Sequence, residues 1–78
     1  MKFTRYFEHT QMRPDRMGIK TEWIESTILA PDAEYVQSDG RIRKWKRIRD
    51  ADDKYLRVVL LEDGVTVHNA FFDRRYKE

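Results

Sequence analysis

The first thirty residues carry the apolar spacing of two short helices. We predict the first helix over residues 9–17, with Gly18 ending it in the left-handed conformation that glycine adopts without strain. A second helix is predicted over residues 21–30, where Ile24 and Ile28 lie one turn apart and share a buried face. A proline follows this second segment directly and ends it.

From residue 33 onwards the pattern changes to short apolar runs separated by turn signals. Two Asp-Gly pairs, Asp39-Gly40 and Asp63-Gly64, are strong signals for tight hairpin turns. Four strands are therefore predicted, at residues 33–38, 41–48, 55–62 and 65–72.

Helices that precede the strands, instead of alternating with them, are typical of the α+β class. We expect one domain of 78 residues, in which two short N-terminal helices pack on one face of a sheet of about four antiparallel strands. The other face of the sheet is left open. Because a core of this size contributes only about 3–5 kcal/mol of net stability, a homo-oligomer or another partner could complete it.

The composition excludes several classes of protein. The chain has no cysteine, so it has no disulfide and no thiolate site. No run of about eighteen apolar residues is present for a membrane span, and the opening residues hold no signal-peptide stretch. We therefore expect a cytoplasmic protein with no membrane partner. Charged residues make up 38% of the chain, but aromatic residues make up 13%, which favours a packed domain over disorder.

Positive charge is concentrated in the second half of the chain. Residues 1–40 contain five basic and seven acidic side chains, a net charge of −2. Residues 41–78 contain eleven basic and seven acidic side chains, a net charge of +4. An anionic partner should therefore dock on the C-terminal half.

The most basic segment is the second predicted strand with the residue after it. Six of the nine residues 41–49 are basic, and Trp45 stands among them. Since alternate residues of a strand face opposite sides, Trp45 shares one face with three arginines. A tryptophan between arginines can stack a nucleobase while the guanidinium groups hold phosphates, and such binding weakens steeply with salt. The candidate nucleic-acid-binding residues are Arg41, Arg43, Lys44, Trp45, Lys46, Arg47 and Arg49.

Two other interpretations of this strand stay open. It could be an edge strand that is charged on both faces to prevent sheet-to-sheet aggregation. It could instead receive an acidic protein partner. Six charges exceed what edge protection usually needs, so contact with nucleic acid is the preferred interpretation.

Three further side chains are candidates for proton transfer or phosphate binding. His9 and Arg13 stand four apart and would project from one face of the predicted helix. A histidine titrates near neutrality, and an arginine beside it can hold a phosphate. Arg57 interrupts an apolar strand, where an unpaired buried charge would be costly. It must therefore face the open side or pair with a carboxylate such as Asp73.

His68 lies in the last predicted strand. Alternation places it on the face opposite Val67 and Asn69. It is a candidate proton carrier, and the alternative is an ordinary surface histidine.

Metal and nucleotide sites are not expected. All three glycines have structural roles in turns or helix ends, so none is left for a phosphate-binding loop. Two histidines without any cysteine do not make a zinc site. We therefore expect no metal and no cofactor.

Short motifs spread over nearly the whole chain form a family pattern. In the first half they are His9-x-x-x-Arg13, Gly18-Ile19, Thr21-Glu22-Trp23-Ile24 and Ile28-Leu29-x-Pro31. In the second half they are Gly40-Arg41, Tyr55-Leu56-Arg57-Val58-Val59 and the strand at residues 67–72. Together these motifs resemble small bacterial toxins of the RelE/BrnT type.

The resemblance implies a RelE-like fold, an antitoxin partner encoded nearby, and metal-independent endoribonuclease activity on RNA. Such chemistry activates the ribose 2′-hydroxyl, stabilises the charged phosphorus centre and protonates the leaving oxygen. By position, the residues that the resemblance assigns to this chemistry are His9, Arg13 and Arg57, and His68 is the second candidate for moving protons. The alternative function is a non-catalytic module that binds RNA or protein through the basic strand.

Overall fold

A computed structural model describes residues 1–77 and has the α+β class that the sequence predicts. The elements in chain order are β1 Lys2–Phe3, α1 Arg5–Thr10, α2 Thr21–Leu29, β2 Ala33–Val36, β3 Ile42–Ile48, a 3₁₀ turn Arg49–Ala51, β4 Lys54–Leu60 and β5 Thr66–Phe72. The five strands form one mixed sheet in the order β1-β5-β4-β3-β2. None of the helices within residues 1–77 has the length and apolarity needed to cross a membrane.

The prediction of a helix over residues 9–17 is wrong. An earlier helix forms instead, because the Thr4 hydroxyl caps it by accepting a hydrogen bond from the Phe7 N–H at 3.0 Å. Phe7 anchors this helix in the core, where it is 7% exposed. Pro14 has no N–H for a helical hydrogen bond, and the chain continues after α1 in turns. Gly18 does not have the positive φ expected of a left-handed helix end.

The four predicted strands are present, but the prediction of four antiparallel strands is incomplete. β1 adds a fifth strand parallel to β5, with Lys2 opposite Thr66. Two residues are too few to show a strand pattern in the sequence. Both predicted hairpin turns form, with φ of 91° at Gly40 and 74° at Gly64. A Cβ atom at Gly40 would also lie 2.8 Å from a carboxylate oxygen of Glu62.

The helices cover one face of the sheet, and the core lies beneath them. Leu56, Val58 and Leu60 of β4 point towards the helices and are fully buried. Ile24 is buried against them, and Ile28 packs on the same cluster, as their one-turn spacing predicts. The sequence pattern is therefore correct for the second helix and for its buried face.

The opposite face of the sheet, called the open face below, carries alternate residues of three strands. They are Arg43, Trp45 and Arg47 of β3, Tyr55, Arg57 and Val59 of β4, and Asn69 and Phe71 of β5. The predicted separation of odd-numbered and even-numbered residues along β3 is confirmed, because Ile42 and Ile48 pack on the core side.

A β-bulge in β5 changes which residues reach the open face. Val59 is opposite Asn69, but the next residue, Leu60, is opposite Val67, so His68 is an extra residue in the ladder. Val67 therefore turns into the core, where it is fully buried. His68 and Asn69 both line the open face. The predicted placement of His68 on the face opposite Asn69 is wrong, since simple alternation cannot anticipate a bulge.

Candidate functional site on the open face

A row of three side chains crosses the middle of the open face. Phe71, Arg57 and Trp45 lie directly opposite one another on β5, β4 and β3. The guanidinium carbon of Arg57 lies 5.2 Å from the ring centroid of Phe71 and 5.7 Å from that of Trp45. Both distances allow a cation–π attraction, so the two rings hold the guanidinium group between them.

Asp73 pairs with Arg57 at one end of this row. Its Oδ2 accepts hydrogen bonds from Arg57 Nη1 at 3.4 Å and from Trp45 Nε1 at 3.1 Å. Burial would raise the pKa of Asp73, but these two donors and the backbone N–H of Arg75 hold it below its ordinary value. The predicted alternatives for Arg57 were an open face or a carboxylate partner, and the structure provides both.

Arg57 is nevertheless incompletely satisfied. Its Nε is buried and has no hydrogen-bond acceptor. Burial lowers the pKa of Arg57, and the charge of Arg43 lowers it further, while Asp73 raises it. The side chain is 21% exposed, so it still reaches the surface. A buried donor without an acceptor costs roughly 1–3 kcal/mol, so the position of Arg57 lowers the stability of the fold.

Arg57 opens into a cavity of about 480 Å³, called the arginine–histidine pocket below. The lining residues are Tyr6, Gln37, Arg41, Arg57, Val59, His68, Asn69 and Phe71. Two of these side chains are guanidinium groups, and none of the described residues that line the pocket is acidic. Within residues 1–77, no three histidine, cysteine or carboxylate side chains are grouped to hold a metal ion. The chemistry of the pocket is therefore suited to an anion.

His68 stands in this pocket between two residues from the start of the chain. Its Nδ1 lies 3.1 Å from the Thr4 hydroxyl, and its ring stacks on Tyr6 with the centroids 4.8 Å apart. Burial lowers the pKa of His68, and the charge of Arg41 lowers it further. The imidazole is therefore neutral at pH 7, which is the state that can accept a proton.

Two more cavities lie along β3, one near its first half and one near its last residues. One of about 460 Å³ is lined by Tyr35, Gln37, Ser38, Asp39, Arg43 and Trp45. The other, of about 700 Å³, lies at the far end of the strand and is lined by Asp32, Lys46, Arg47, Arg49 and Tyr76. Together, these three cavities are lined by five of the basic residues that were predicted to bind nucleic acid. They are Arg41, Arg43, Lys46, Arg47 and Arg49.

Trp45 is not the free stacking surface that the sequence predicts. It is 8% exposed, because Tyr76 stacks on its ring with the centroids 5.0 Å apart. Its indole N–H is already bound to Asp73. The C-terminal residues thus cover the ring, and no pattern in the sequence connects Tyr76 with Trp45.

Lys44 and Lys46 have structural partners on the helix side of the sheet. The Lys44 Nζ donates to the backbone oxygen of Ile28 at 2.9 Å and also lies 3.5 Å from Glu34. The Lys46 Nζ donates to the backbone oxygen of Ala30 at 2.8 Å. Both lysines therefore satisfy carbonyl groups at the C-terminal end of α2, where positive charge is favourable. The alternative of an edge strand is also wrong, because β3 lies between β2 and β4.

His9 and Arg13 do not share a helix face. His9 is in α1, but Arg13 lies in the turns beyond the end of that helix. Both side chains are exposed, and neither lines the arginine–histidine pocket. The structure thus brings Arg41, Arg57 and His68 together, and it leaves His9 and Arg13 apart from them.

The sequence also missed side chains that shape the open face. Arg16 reaches it from the turns after α1, where its Nη1 donates to Asn69 Oδ1 at 2.8 Å. The Arg16 guanidinium carbon lies 5.2 Å from the Phe71 ring centroid. No sequence signal links residues so far apart. Tyr35 could have been found, since strand alternation across the first hairpin places it opposite Arg43.

Comparison with known proteins finds no match for this chain among protein-family models, curated proteins or solved structures.

Proposed function

We propose that the protein is a toxin-like RNA-binding protein that holds a phosphate group of RNA in the arginine–histidine pocket. The observation that carries this proposal is that the partly exposed guanidinium group of Arg57 and that of Arg41 line one pocket, in which none of the described lining residues is acidic. Guanidinium groups donate short, charge-assisted hydrogen bonds to phosphate oxygens. A phosphate in the pocket would therefore balance the positive charge of the two arginines.

Single-stranded RNA fits the open face better than a duplex does. Unpaired bases can stack on aromatic rings and guanidinium planes of an open sheet, whereas the bases of a duplex are already stacked on each other. The three cavities follow β3 from one end to the other, and Ile42–Ile48 spans roughly 20 Å at strand spacing. Arg43 and Arg47 lie on this path, so a flexible phosphate backbone would meet positive charge at several points, with Asp32 and Asp39 as acidic neighbours.

RNA cleavage is a second part of the proposal, and the neutral His68 supports it. When His68 Nδ1–H donates to Thr4, Nε2 has a free lone pair to accept the proton of a ribose 2′-hydroxyl. The 2′ oxygen then bonds to phosphorus, the bond from phosphorus to the 5′ oxygen breaks, and the leaving oxygen takes a proton from water. Arg41 and Arg57 stabilise the negative charge that develops on the phosphate oxygens. The products are a 2′,3′-cyclic phosphate and a 5′-hydroxyl end.

This activity agrees with the RelE/BrnT resemblance and would stop bacterial growth. The resemblance also implies an antitoxin that keeps the protein inactive until it is released. The open face is the surface that such a partner would have to cover, since the proposed phosphate pocket lies there.

A binding and cleavage assay with purified protein tests the proposal. A fluorescent single-stranded RNA of about ten nucleotides lies within the usual site size for such faces. We expect Arg57→Gln to weaken RNA binding about tenfold or more at moderate salt. The slope of the logarithm of the binding constant against the logarithm of the salt concentration should become less steep by about one, because one phosphate contact is lost. Binding by Arg57→Gln at the wild-type affinity would contradict the proposal.

His68→Ala and His9→Ala form a matched pair for the cleavage step. We expect His68→Ala to retain RNA binding while losing cyclic-phosphate product, and His9→Ala to keep both. Circular dichroism spectra that match the wild type exclude misfolding as the cause. Loss of product in His9→Ala alone would transfer the catalytic role to α1 and overturn the pocket assignment.

A further inference from the structure

A second cavity adjoins the arginine–histidine pocket, and its wall has a different chemistry. Gln37 lines both cavities, so the two sites are immediate neighbours. The arginine–histidine pocket combines two guanidinium groups with an imidazole. The neighbouring cavity instead combines the exposed ring of Tyr35 and the guanidinium group of Arg43 with the amide of Gln37 and the carboxylate of Asp39. This difference is the one expected between the phosphate and the base of a single nucleotide.

The two planar groups that line the second cavity, the Tyr35 ring and the Arg43 guanidinium group, are held in place by side-chain contacts. The guanidinium carbon of Arg43 lies 5.6 Å from the ring centroid of Tyr35. The Arg43 Nε donates to Gln37 Oε1 at 2.6 Å, which fixes the orientation of the guanidinium group. Tyr35 is 56% exposed. A planar ligand can therefore stack on a preformed pair of flat groups at little cost in conformational entropy.

The polar part of the cavity presents a carboxylate oxygen that accepts no hydrogen bond within the described residues. Asp39 Oδ1 accepts hydrogen bonds from Gln37 Nε2 at 3.2 Å and from the Arg41 backbone N–H at 3.0 Å. Its Oδ2 forms an ion pair with Arg41 Nε at 3.8 Å, a distance too long for a hydrogen bond. The backbone N–H of Arg41 is the main cause that lowers the pKa of Asp39, so the group is ionised at neutral pH. The carboxylate can thus accept a further hydrogen bond from a ligand.

The geometry points to a nucleobase subsite in this cavity, in which Tyr35 and Arg43 stack the base and Asp39 selects guanine. The inference rests on the proposed function, because it describes the base next to the bound phosphate. Guanine presents N1–H and N2–H donors side by side on its Watson–Crick edge, and a carboxylate accepts from such donors. Adenine presents one amino group beside an acceptor nitrogen, which a carboxylate repels. Uracil presents a single N–H between two carbonyl oxygens.

A comparison of short RNAs tests the base preference. The probes are fluorescent oligouridylates of about ten nucleotides in which one central position is uracil, adenine or guanine, and fluorescence anisotropy measures the dissociation constant. We expect the wild type to bind the guanine probe about tenfold more tightly than the adenine probe, since a well-placed base contact contributes roughly that much discrimination. Asp39→Asn should reduce this ratio to about twofold or less. It should bind plain oligouridylate at least as tightly as the wild type, because it removes a negative charge.

Tyr35→Val and Val36→Thr provide a second, matched comparison. Both positions are exposed on β2, but Val36 pairs with Ile42 on the helix side of the sheet. We expect Tyr35→Val to weaken binding of the guanine probe about tenfold, the usual scale of one base–aromatic stack. Val36→Thr should bind it with the wild-type affinity.

The outcomes separate this inference from the proposed function. Equal, salt-sensitive binding of all three probes by the wild type would overturn the guanine subsite and leave the phosphate pocket standing. A preference for adenine, or a guanine preference that survives Asp39→Asn, would overturn the role of Asp39. Absence of binding to every probe would overturn the RNA-binding proposal and the subsite together.

Discussion

Arg57 Nη1 lies 3.4 Å from Asp73 Oδ2, and these two charged groups connect the centre of β4 with the end of β5. Their side chains are only 21% and 12% exposed, so water screens the pair weakly. Asp73 therefore orients a guanidinium group that would otherwise be free to turn. The buried Nε of Arg57 has no acceptor, and the pair holds a cation in a fixed position at the open face.

Replacement of Asp73 should destabilise the protein, because Arg57 would then stay buried without its counter-ion. We expect Asp73→Ala to lower the free energy of unfolding by about 2 kcal/mol, because Arg57 loses its counter-ion and Trp45 loses its acceptor. Addition of Arg57→Met should recover part of this loss, since no unpaired charge then remains. Urea unfolding followed by tryptophan fluorescence measures both changes. If the two substitutions destabilise the protein additively, the pair is not coupled.

Expression in a bacterial host should show toxicity that depends on Arg57. We expect the wild type to arrest growth and degrade total RNA, because the proposed cleavage would destroy cellular RNA. Arg57→Ala should permit normal growth at the same protein level. Arg74→Ala is the matched control, since Arg74 is exposed and does not line that pocket. Normal growth of the wild type in a host shown to have no masking partner would contradict the proposed toxin function.

The lowered pKa of His68 should make the protein less stable in mild acid. Because the folded form binds a proton less readily than the unfolded chain, whose histidine has the ordinary pKa of 6.5, stability rises with pH through this region. We expect the melting temperature to fall as the pH is lowered from about 7 to 5. His68→Gln should flatten this part of the profile. An unchanged slope in that variant would show that another group is responsible.

Lys44 and Arg43 are neighbours on β3 and should behave in opposite ways. Lys44→Met should lower the free energy of unfolding by about 1 kcal/mol, because the last turn of α2 loses a charged donor. It should change RNA affinity little. Arg43→Met should weaken RNA binding severalfold, because its guanidinium group lies on the open face. Chemical unfolding and RNA titration of both variants provide the comparison, and a larger RNA defect in Lys44→Met would contradict the assignment of faces.

The sequence by itself determined the class of the fold and most of its strands. The hairpin turns at Gly40 and Gly64 follow from the residue types next to each other in the chain. The alternation of faces along β3 follows from the geometry of any strand. The buried face of α2 follows from one-turn spacing in the same way. These features are local, so they can be predicted without knowing what packs against them.

The first helix was decided by contacts that the local pattern does not show. Thr4 caps α1, and Phe7 fits into the core formed by distant strands. The predicted helix over residues 9–17 places His9 and Arg13 together on the basis of spacing alone. Since the helix begins and ends earlier, this pairing is lost.

The arginine–histidine pocket exists only in the tertiary structure. Arg41, Arg57 and His68 come from the first hairpin, from β4 and from the bulge in β5, and Tyr6 joins them from α1. The sequence analysis selected each of the three as a candidate. Their proximity, however, depends on the order of the strands and on the β-bulge in β5. The sequence therefore supplied the chemistry of the side chains, and the sheet decided which of them share a site, because strand order and bulges are set by packing over the whole domain.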